Sequence, residues 1–552
     1  MKSQLPLVIK DLTFRYHSRN EPAIKNINLS VESGQIILIA GASACGKTTL
    51  ARCINGLIPR SYKGDFHGTI HINGKDTRDL SLARISQMVG TVLQDPERQI
   101  LGTKVINEVS FGLENLGWPR EKILDTATSV LIRLKIPHLH TRETFHLSGG
   151  EKQKVALAGV LAMKPSLLLL DEPLASLDPA SALEALEMVR ALADEGMTVL
   201  MVEHRVEDVL KIKPDRVLFM KEGEVRYDGP ASGLNRKVDY REVKLPASLI
   251  IKLAAKDPVP APITPLKNVA SLPHKTLVEF KNVTYGYEAE TEVLHGINLE
   301  IRRGDVIAVL GPNGSGKTTL MKHAIGLLKP KSGEVLVEGK NSRDMTVAEI
   351  AGNLGYVFQS PSHMLFAPTV EEELAFGPTN IGHKPDKIQK EVKEAITIVN
   401  MTGLEKNPPL ALSFGQQKRV SIAAILAMHS RIMVMDEPTA GQDYKNYMDF
   451  MDSILQLPYF EAILFITHDV DLALIHANRV VLVNNGCLVA DGRPQEVLKD
   501  FDFLRQNRII PTTLLKSNLE YLPKTHRFLR AEALAHIPLP VRNLVVRAVK
   551  AP

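Results

Sequence analysis

The sequence is poor in cysteine, in long apolar runs and in net charge, and each shortage excludes a class of protein. Three cysteines in 552 residues are too few for a disulfide framework or a zinc site, which predicts a reducing compartment. There is no run of about 18 apolar residues and no apolar signal-peptide core near the start, so neither a membrane span nor a signal peptide is predicted. We expect a cytoplasmic chain. A formal net charge of +5 does not indicate wholesale nucleic-acid binding.

The small positive excess lies at the carboxyl end of the chain. From residue 501 to residue 552 there are nine Lys or Arg and three acidic residues, a local charge of 9 − 3 = +6. The segment RNLVVRAVK within it predicts a short amphipathic basic helix beside anionic lipid or a membrane partner. A solvated charged end is the open alternative.

The chain is a tandem duplication of one plan. Residues 11–41 align with 282–311, and LLLLDEPLASLD (167–178) aligns with IMVMDEPTAGQD (432–443). Lys47 and Lys317 are 270 positions apart, whereas Asp171 and Asp436 are 265 apart. A nearly constant offset of this kind is typical of a repeated domain.

Two domains and two connecting segments follow from this repeat. We predict a first domain at 1–244, a proline-rich extended connector at 245–276, a second domain at 277–500 and a basic C-terminal extension at 501–552. Within each half, short apolar runs such as QIILIA and DVIAVL alternate with longer helical stretches. This pattern is typical of an α/β fold in which a mainly parallel sheet is buried between helices.

Each half also contains a glycine-rich string, GASACGKTTL or GPNGSGKTTL, that follows an apolar strand and opens a helix. In that context, backbone N–H groups and the helix N-terminus can hold phosphate oxygens, the lysine can reach the β and γ phosphates, and the first threonine can bind Mg²⁺. The predicted phosphate-binding residues are Gly41, Ala42, Ser43, Ala44, Cys45, Gly46, Lys47, Thr48, Thr49, Gly311, Pro312, Asn313, Gly314, Ser315, Gly316, Lys317, Thr318 and Thr319.

A second apolar strand in each half ends in two carboxylates, Asp171-Glu172 and Asp436-Glu437. The carboxyl end of a strand in such a sheet faces the crevice where ligands bind. The aspartate is therefore predicted to hold Mg²⁺ and the glutamate to polarise a water molecule. A solvated acidic turn would be the simpler interpretation of a single copy, but the matched spacing in both halves favours the catalytic one.

Two further segments, LSGGEKQKVALAGVLAMKP (147–165) and LSFGQQKRVSIAAILAMHS (412–430), resemble the signature of the ATP-binding-cassette (ABC) ATPases. The resemblance covers nearly the whole range from Leu5 to Pro494. It implies two tandem cassettes that use ATP and Mg²⁺, each with a mainly parallel sheet core, a helical signature subdomain and an antiparallel β subdomain. The signature residues that it assigns to nucleotide binding are Ser148, Gly149, Gly150, Glu151, Ser413, Phe414, Gly415 and Gln416.

The same resemblance assigns other roles motif by motif. Tyr16 and Tyr287 match the aromatic residue that stacks on adenine, and Asp178 and Asp443 match the aspartate that touches the opposite cassette. The catalytic set that it implies is Glu172, Glu437, His204, His468, Gln94 and Gln359. The metal-binding set that it implies is Thr48, Gln94, Asp171, Thr318, Gln359 and Asp436.

The segments that follow each glutamine, at 94–117 and 359–382, resemble the energy-coupling-factor branch of ABC importers. This resemblance implies a peripheral, ATP-hydrolysing subunit on the cytoplasmic face of the membrane. Its partners would be an integral-membrane coupling protein and a substrate-binding membrane protein, with a vitamin, a vitamin precursor such as that of thiamine, or a metal ion as cargo. No nucleic-acid partner is expected.

Two alternatives remain open at this point. One is a soluble tandem cassette that acts on ribosomes or nucleic acid, although the short connector and the few cysteines do not match the relatives of that kind. The other is the fused ATPase of a sugar importer, which the segments after Gln94 and Gln359 disfavour.

In this family two cassettes close head to tail, which implies two ATP sites within one chain. One pairs the Lys317 loop with Ser148, and the other pairs the Lys47 loop with Ser413. The departures from the usual glycines, Ala44 and Phe414, both fall in the Lys47 site. We expect both sites to hydrolyse ATP, with the Lys47 site slower or differently regulated because of these two departures. We also expect Cys45, which lies in the first phosphate loop, to make activity sensitive to thiol reagents.

Overall fold

The structure is a computed structural model that describes residues 5–175, 177–236, 238–260, 275–288, 291–439 and 444–538. Asp443, the segment RNLVVRAVK and part of the proline-rich connector lie outside the described residues, so the predictions made for them remain predictions. Among the described residues, no helix is both long enough and apolar enough to cross a bilayer.

Strands and helices alternate along the first half, as the sequence predicts. Its strands are β1 Leu7–Tyr16, β2 Ile24–Val31, β3 Ile36–Gly41, β4 Gly64–Ile72, β5 Lys75–Asp76, β6 Val89–Val92, β7 Leu167–Asp171, β8 Thr198–Val202, β9 Arg216–Lys221 and β10 Glu224–Gly229. Its helices are α1 Lys47–Ile54, α2 Leu57–Arg60, α3 Leu82–Met88, α4 Val105–Asn115, α5 Arg120–Arg133, α6 Gly149–Ala162, α7 Pro179–Asp194, α8 Val206–Leu210 and α9 Ala247–Ala254.

The second half repeats this order and adds helices at its carboxyl end. Its strands are β11 Thr276–Tyr285, β12 Leu294–Arg302, β13 Val306–Leu310, β14 Ser332–Val337, β15 Lys340–Asn341, β16 Leu354–Val357, β17 Ile432–Asp436, β18 Ala462–Ile466, β19 Arg479–Asn484 and β20 Cys487–Gly492. Its helices are α10 Lys317–Ala324, α11 Val347–Ala351, α12 Val370–Asn380, α13 Pro385–Ile398, α14 Phe414–Ala427, α15 Tyr444–Leu455, α16 Val470–His476, α17 Pro494–Val497, α18 Phe501–Gln506, α19 Thr513–Thr525 and α20 Ala531–Leu534.

A mainly parallel sheet forms the core of each half. The strand order is β10-β9-β3-β8-β7-β6 in the first half and β16-β17-β18-β13-β19-β20 in the second, with only the β9–β10 and β19–β20 pairs antiparallel. Every residue of β3 and β13 is buried, as expected for parallel strands that are covered on both faces. The carboxyl ends of β3, β7 and β8 therefore lie at one edge of the sheet, where ligands bind in α/β folds.

A smaller antiparallel sheet and a helical layer complete each half. The antiparallel orders are β2-β1-β4-β5 and β12-β11-β14-β15, and the helical layers are α4 to α6 and α12 to α14. The helices α6 and α14 each begin with a capping box, in which Ser148 pairs with Glu151 and Ser413 with Gln416. The predicted α/β architecture with a helical and an antiparallel part, present twice, is confirmed.

The segment predicted to be an extended connector begins with a helix, α9, which packs against α19 and α20 at the carboxyl end of the chain. Its sequence ASLIIKLA presents Ala247, Ile250 and Ala254 at helical spacing, and all three are buried. The backbone N–H of Ala247 donates to Thr513 Oγ1 at 2.7 Å. The helix α9 forms here because α19 covers its apolar face. The prolines of the segment predict an extended chain and give no sign of this distant partner.

Candidate functional site

The two glycine-rich loops form tight phosphate cradles at the carboxyl ends of β3 and β13. Gly41 and Gly311 have φ of 152° and 150°, and a Cβ at these positions would lie 2.3 Å from Met220 O and 2.0 Å from Val483 O. Only glycine fits so close to a neighbouring strand. The helices α1 and α10 begin directly after each loop, so that their N-terminal N–H groups face the cradle.

Each cradle lysine is tied back to its own loop. Lys47 Nζ donates to the carbonyl oxygens of Gly41 at 2.9 Å and Ala42 at 2.8 Å. Lys317 Nζ makes the equivalent bonds to Gly311 at 2.9 Å and Pro312 at 2.7 Å. Both ammonium groups are thus held against the backbone of their own loop, from which a lysine can reach bound phosphates.

Ala44 and Gly314 occupy equivalent turns in the two cradles, and both have a left-handed backbone. The φ of Ala44 is 62° and that of Gly314 is 77°. An L-residue with a Cβ is strained in this region, whereas glycine is not. A Cβ at Gly314 would meet nothing within 4 Å, so the cost at this turn comes from the backbone conformation and not from packing.

Replacing Ala44 with glycine is therefore expected to stabilise the first half by about 0.5–1 kcal/mol, because the released strain exceeds the added backbone entropy of the unfolded chain. Denaturant unfolding would measure the change. The matched variant Gly314→Ala should destabilise the second half by a similar amount. An unchanged or lower unfolding midpoint for Ala44→Gly would contradict this interpretation.

Cys45 is buried beneath the first cradle, with Sγ 3.8 Å from Lys47 Nζ. Burial raises the pKa of this thiol, although the nearby Lys47 charge opposes the rise. A buried thiol that keeps its proton reacts slowly with maleimides. The geometry therefore disfavours the expected thiol sensitivity.

The carboxylate pair at the end of β7 forms a connected group with Gln94 and His204. Gln94 Nε2 donates to Glu172 Oε2 at 2.6 Å, and His204 Nε2 lies 2.8 Å from Glu172 Oε1. Burial raises the pKa of Glu172, but the hydrogen bond and charge of His204, with Lys47 and Gln94, bring it below its usual value. Glu172 is therefore ionised at neutral pH, and the structure brings three predicted catalytic residues of the first half together.

The adjacent Asp171 has an unsatisfied oxygen. Its Oδ1 is buried and has no hydrogen-bond partner among the described residues. Burial and the charge of Glu172 raise the pKa of Asp171 to about 6. A buried carboxylate oxygen without a donor is the environment that a bound cation would satisfy.

The second half arranges the same residue types differently. Thr318 Oγ1 donates to Asp436 Oδ2 at 2.7 Å, and Tyr356 Oη donates to the same oxygen at 3.2 Å. His468 Nε2 lies 3.1 Å from Glu437 Oε1. Burial, together with the Lys317 and Arg205 charges, lowers the pKa of His468 to about 3, so this imidazole is neutral.

Glu172 and Glu437 share an uncommon backbone. Their φ values are 50° and 48°, and their N–H groups donate to Val202 O at 2.9 Å and Ile466 O at 3.0 Å on the neighbouring strand. Residues held in sparsely populated conformations cluster at functional sites. Burial and the charge of Asp436 raise the pKa of Glu437 against the opposing charge of Lys317.

The tyrosines predicted to contact adenine lie beside the first turns of α1 and α10. Tyr16 Oη is 3.3 Å from Thr49 Oγ1, and Tyr287 Oη is 3.1 Å from Thr319 Oγ1. The ring of Tyr287 is exposed, as a stacking platform requires. The structure thus places both rings next to the phosphate loops of their own half.

The two halves meet around a cavity of about 150 Å³. Its lining includes Glu172, His204, Gln359, Glu437 and His468. Asp178 of the first half reaches the second cradle, where the backbone N–H of Asn313 donates to it and its charge acts on Lys317. Asp178 therefore lies beside the Lys317 loop, and the pairing of each phosphate loop with the signature of the opposite half remains a prediction.

Sequence reasoning missed Lys418, which is completely buried in α14. Its Nζ donates to the carbonyl oxygens of Phe358 at 2.8 Å, Gln359 at 3.0 Å and Asp436 at 3.0 Å. It therefore ties the signature helix to two catalytic segments of its own half, and burial lowers its pKa to about 8. The sequence feature that could have indicated Lys418 is a difference between the two signatures, because Gln153 stands at the equivalent position of the first signature.

Comparison with known proteins gives a consistent picture. The profile of the family described as "ABC transporter" matches residues 24–175 and 294–440. Candidate ABC transporter ATP-binding proteins of Caldanaerobacter subterraneus and Clostridium perfringens are each 36% identical, covering 93% and 94% of this chain and 96% of each relative. Among solved structures, CbiO1 of Clostridium perfringens, described as part of the ABC transporter complex CbiONQ, is 31% identical over 48% of this chain and 99% of its own, with a TM-score of 0.38.

Proposed function

Because the chain belongs to the ABC transporter family and is one of its ATPases, we propose that it energises a membrane importer of the energy-coupling-factor type. It would lie on the cytoplasmic face as a peripheral subunit and bind integral-membrane partners, with a vitamin, vitamin precursor or metal ion as cargo. The observation that carries this proposal is a matched pair of exposed apolar surfaces, one on each half.

The first apolar surface consists of Leu101, Phe111 and Phe145, and the second of Phe366, Phe376 and Leu410. The members correspond pairwise at an offset of 265 positions, and all six are exposed, Leu101 by 69% and Phe366 by 61%. The rings of Phe366 and Phe376 contact each other edge to face, with centroids 4.8 Å apart. Exposed apolar clusters that recur in this way mark interaction sites.

A buried glutamate gives each surface its shape. Glu108 on α4 accepts hydrogen bonds from the backbone N–H groups of Leu101 and Gly102, both at 2.7 Å. Glu373 on α12 accepts from Phe366 and Ala367, both at 2.8 Å. Each carboxylate fixes a loop that follows Gln94 or Gln359, so a partner seated there would be mechanically linked to an ATP site.

An apolar segment from an integral-membrane protein would suit these surfaces, because aromatic and large aliphatic side chains dominate the binding energy of protein interfaces. Leu101, Phe111, Phe366 and Phe376 lie in the segments that resemble the energy-coupling-factor importers, whereas Phe145 and Leu410 lie after those segments. Nothing in the described residues favours the alternative of a factor that acts on ribosomes or nucleic acid. The relatives named above are designated transporter ATP-binding proteins, and the similarity covers most of their length.

The donor sets at the two ATP sites fit Mg²⁺. The unpartnered Asp171 Oδ1 and the Thr318–Asp436 pair offer hard oxygen ligands, and Mg²⁺ prefers such oxygens together with substrate phosphates. Bound Mg²⁺ would neutralise charge on the phosphates during hydrolysis. The chain's own residues would then hold the phosphates through Lys47 or Lys317 and orient the attacking water through Glu172 or Glu437.

Converting both apolar surfaces to acidic ones should separate the chain from its membrane partners. The double variant Phe111→Glu and Phe376→Glu is expected to reduce co-purified membrane subunits by about tenfold or more, because each charge would be buried in an apolar contact. Quantitative mass spectrometry of the complex, expressed with its neighbouring genes, would measure the loss. ATP binding by the variant should stay unchanged.

Val489→Glu is the matched control, since Val489 is an exposed apolar residue on β20, away from both surfaces. It should leave co-purification intact. Retention of the membrane subunits by the double variant would contradict the docking proposal, and co-sedimentation of the unaltered chain with ribosomes would favour the alternative.

A further inference from the structure

Between β7 and α7, the described residues 174, 175, 177 and 178, named loop 174–178 below, connect the two ATP sites. Leu174 and Leu177 are buried, and the carboxylate of Asp178 caps α7 by accepting the Ser181 N–H at 2.9 Å and the Ser181 hydroxyl at 3.0 Å. The same carboxylate lies against the second cradle, at Asn313 and Lys317. Any displacement of this loop therefore moves a charge beside the Lys317 site.

Arg205, directly after His204, holds the loop from within the first half. Its Nη1 donates to the carbonyl oxygens of Leu174 and Leu177, both at 3.1 Å, and its Nε donates to Asp208 at 2.8 Å. A single terminal nitrogen of the guanidinium therefore binds both carbonyls at once. Since His204 lies 2.8 Å from Glu172, this arginine joins the Lys47 site to the loop.

Glu203, which directly precedes His204, also connects the segment of His204 to the loop. It is buried, and its carboxylate accepts hydrogen bonds from the N–H groups of His204 at 2.9 Å, Arg205 at 3.2 Å and Leu174 at 3.2 Å. The segment that carries His204 and the first residue of the loop are therefore bonded to one side chain. They can be expected to move together.

Arg508 holds the loop from outside. It follows α18 in the C-terminal extension, and its Nη2 lies 3.3 Å from Ser181 Oγ, 3.3 Å from Glu184 Oε1 and 3.9 Å from Asp178 Oδ1. The extension thereby contacts the first half at the cap of α7. Asp178 is held between the guanidinium of Arg508 and the second cradle.

The second half does not repeat the two arginines in its sequence. At the 264-position spacing that relates His204 to His468, Asp469 stands where Arg205 does, and at a spacing of 265 positions Val243 stands where Arg508 does. Asp469 caps α16 and lies 2.7 Å from Lys244 Nζ, so it makes a different set of contacts. Neither arginine has an arginine counterpart that could hold the loop of the second half.

We propose that Arg205 and Arg508 are positioning residues that clamp loop 174–178 against the second phosphate loop and so couple the Lys317 site to the state of the Lys47 site. The clamp regulates ATP hydrolysis at the Lys317 site. It rests on the proposed pairing of the Lys317 loop with the signature of the first half.

The test is a site-resolved measurement on the full chain. Vanadate-trapped azido-ATP labels each site after hydrolysis, and the labelled peptides that contain Lys47 and Lys317 can be separated and counted. Arg508→Gln is expected to lower labelling at the Lys317 site by about tenfold and to leave the Lys47 site within about twofold, because only one site loses its positioned loop. Arg508→Lys should recover part of the loss, since it keeps the charge without the fork.

Arg505→Gln is the matched control, because Arg505 is exposed on α18, three residues before Arg508, and pairs with Asp502 at 3.2 Å. It should change neither site. Equal loss at both sites, or no loss, for Arg508→Gln would overturn the proposal. Arg205→Lys provides a second variant with the same expected asymmetry.

A separate variant distinguishes failure of the clamp from failure of the site pairing. Ser148→Arg should block the Lys317 site if the first signature completes it. If Ser148→Arg leaves labelling at the Lys317 site intact, the proposed pairing is wrong. If it blocks that site while both arginine variants do not, the pairing stands and the clamp is wrong.

Discussion

Replacing Glu437 with glutamine is expected to lower steady-state ATP turnover by about 10²-fold or more while ATP binding survives. Glu437 is buried at the end of β17, and its backbone N–H donates to Ile466 O at 3.0 Å. Glutamine has nearly the same size and keeps this packing, but its neutral amide cannot accept a proton from the attacking water. The variant should therefore accumulate ATP with the two halves closed.

Comparison of the two glutamates tests the asymmetry of the sites. Glu172→Gln should reduce turnover less than Glu437→Gln, because Ala44 and Phe414 are both predicted to fall in the Lys47 site. Initial rates of phosphate release and equilibrium binding of labelled ATP would measure the two effects.

Glu461→Gln is the matched control, since Glu461 binds Arg303 and Arg431 just before β18, at the opposite edge of the sheet. It should leave turnover unchanged. Equal effects of the two catalytic substitutions would count against asymmetric sites, and loss of ATP binding in either variant would indicate a structural defect.

Removing the charge of Lys244 should cause the largest loss of stability. Lys244 Nζ lies 2.7 Å from Asp469 Oδ1 and 3.0 Å from Asp471 Oδ2 in the second half. Burial disfavours the charged amine, but the two carboxylates hold the pKa of Lys244 well above its usual value. Lys244→Met keeps the volume and leaves two largely buried carboxylates without a counter-charge, which is expected to cost about 3 kcal/mol.

The loss of stability caused by Lys244→Met should depend on pH. Burial and the charge of Asp471 raise the pKa of the neighbouring Glu207 to about 7, and burial also raises the pKa of Asp471. A carboxyl whose pKa is higher in the folded chain binds its proton more tightly there, so its contribution to stability falls as the pH rises from about 4 towards 7. Lys244→Met should therefore be more destabilising at pH 8 than at pH 5.

Thermal unfolding at the two pH values would measure this difference. Lys211→Met is the matched control, because Lys211 pairs with Asp208 at 2.6 Å but is one-third exposed. It should cost about 1 kcal/mol or less at either pH. A Lys244→Met variant that unfolds like the control would show that the two carboxylates are already satisfied by water.

Much of the site could be predicted from short contiguous strings. The phosphate loops, the carboxylate pairs and the strand before each follow from local spacing, because a cradle is built by consecutive backbone groups and a helix start. The rule that parallel strands end at one edge also anticipates that Glu172 and His204 lie side by side, at the ends of β7 and β8. The duplication then predicts a second copy of each element.

Other features could not be predicted because they join distant segments. The helix α9 forms within a proline-rich stretch since α19 and α20 cover its apolar face. Lys418 on α14 is buried against the backbone of Gln359, which lies 59 positions before it, and no local pattern indicates that burial. The burial of Cys45 could not be predicted from the sequence either, because the thiol is shielded by the packing of the cradle against β9.

The sequence by itself determined that this chain is a tandem ATPase of the ABC type, since the residues that bind phosphate and metal lie in short consecutive motifs. Only the tertiary structure decided which distant residues meet and so distinguish the two halves further. Arg508 meets Ser181 across 327 positions, and Lys244 meets Asp469 across 225. Such contacts depend on how two folded surfaces meet, and no local pattern of side chains indicates which residues so far apart in the sequence will be neighbours.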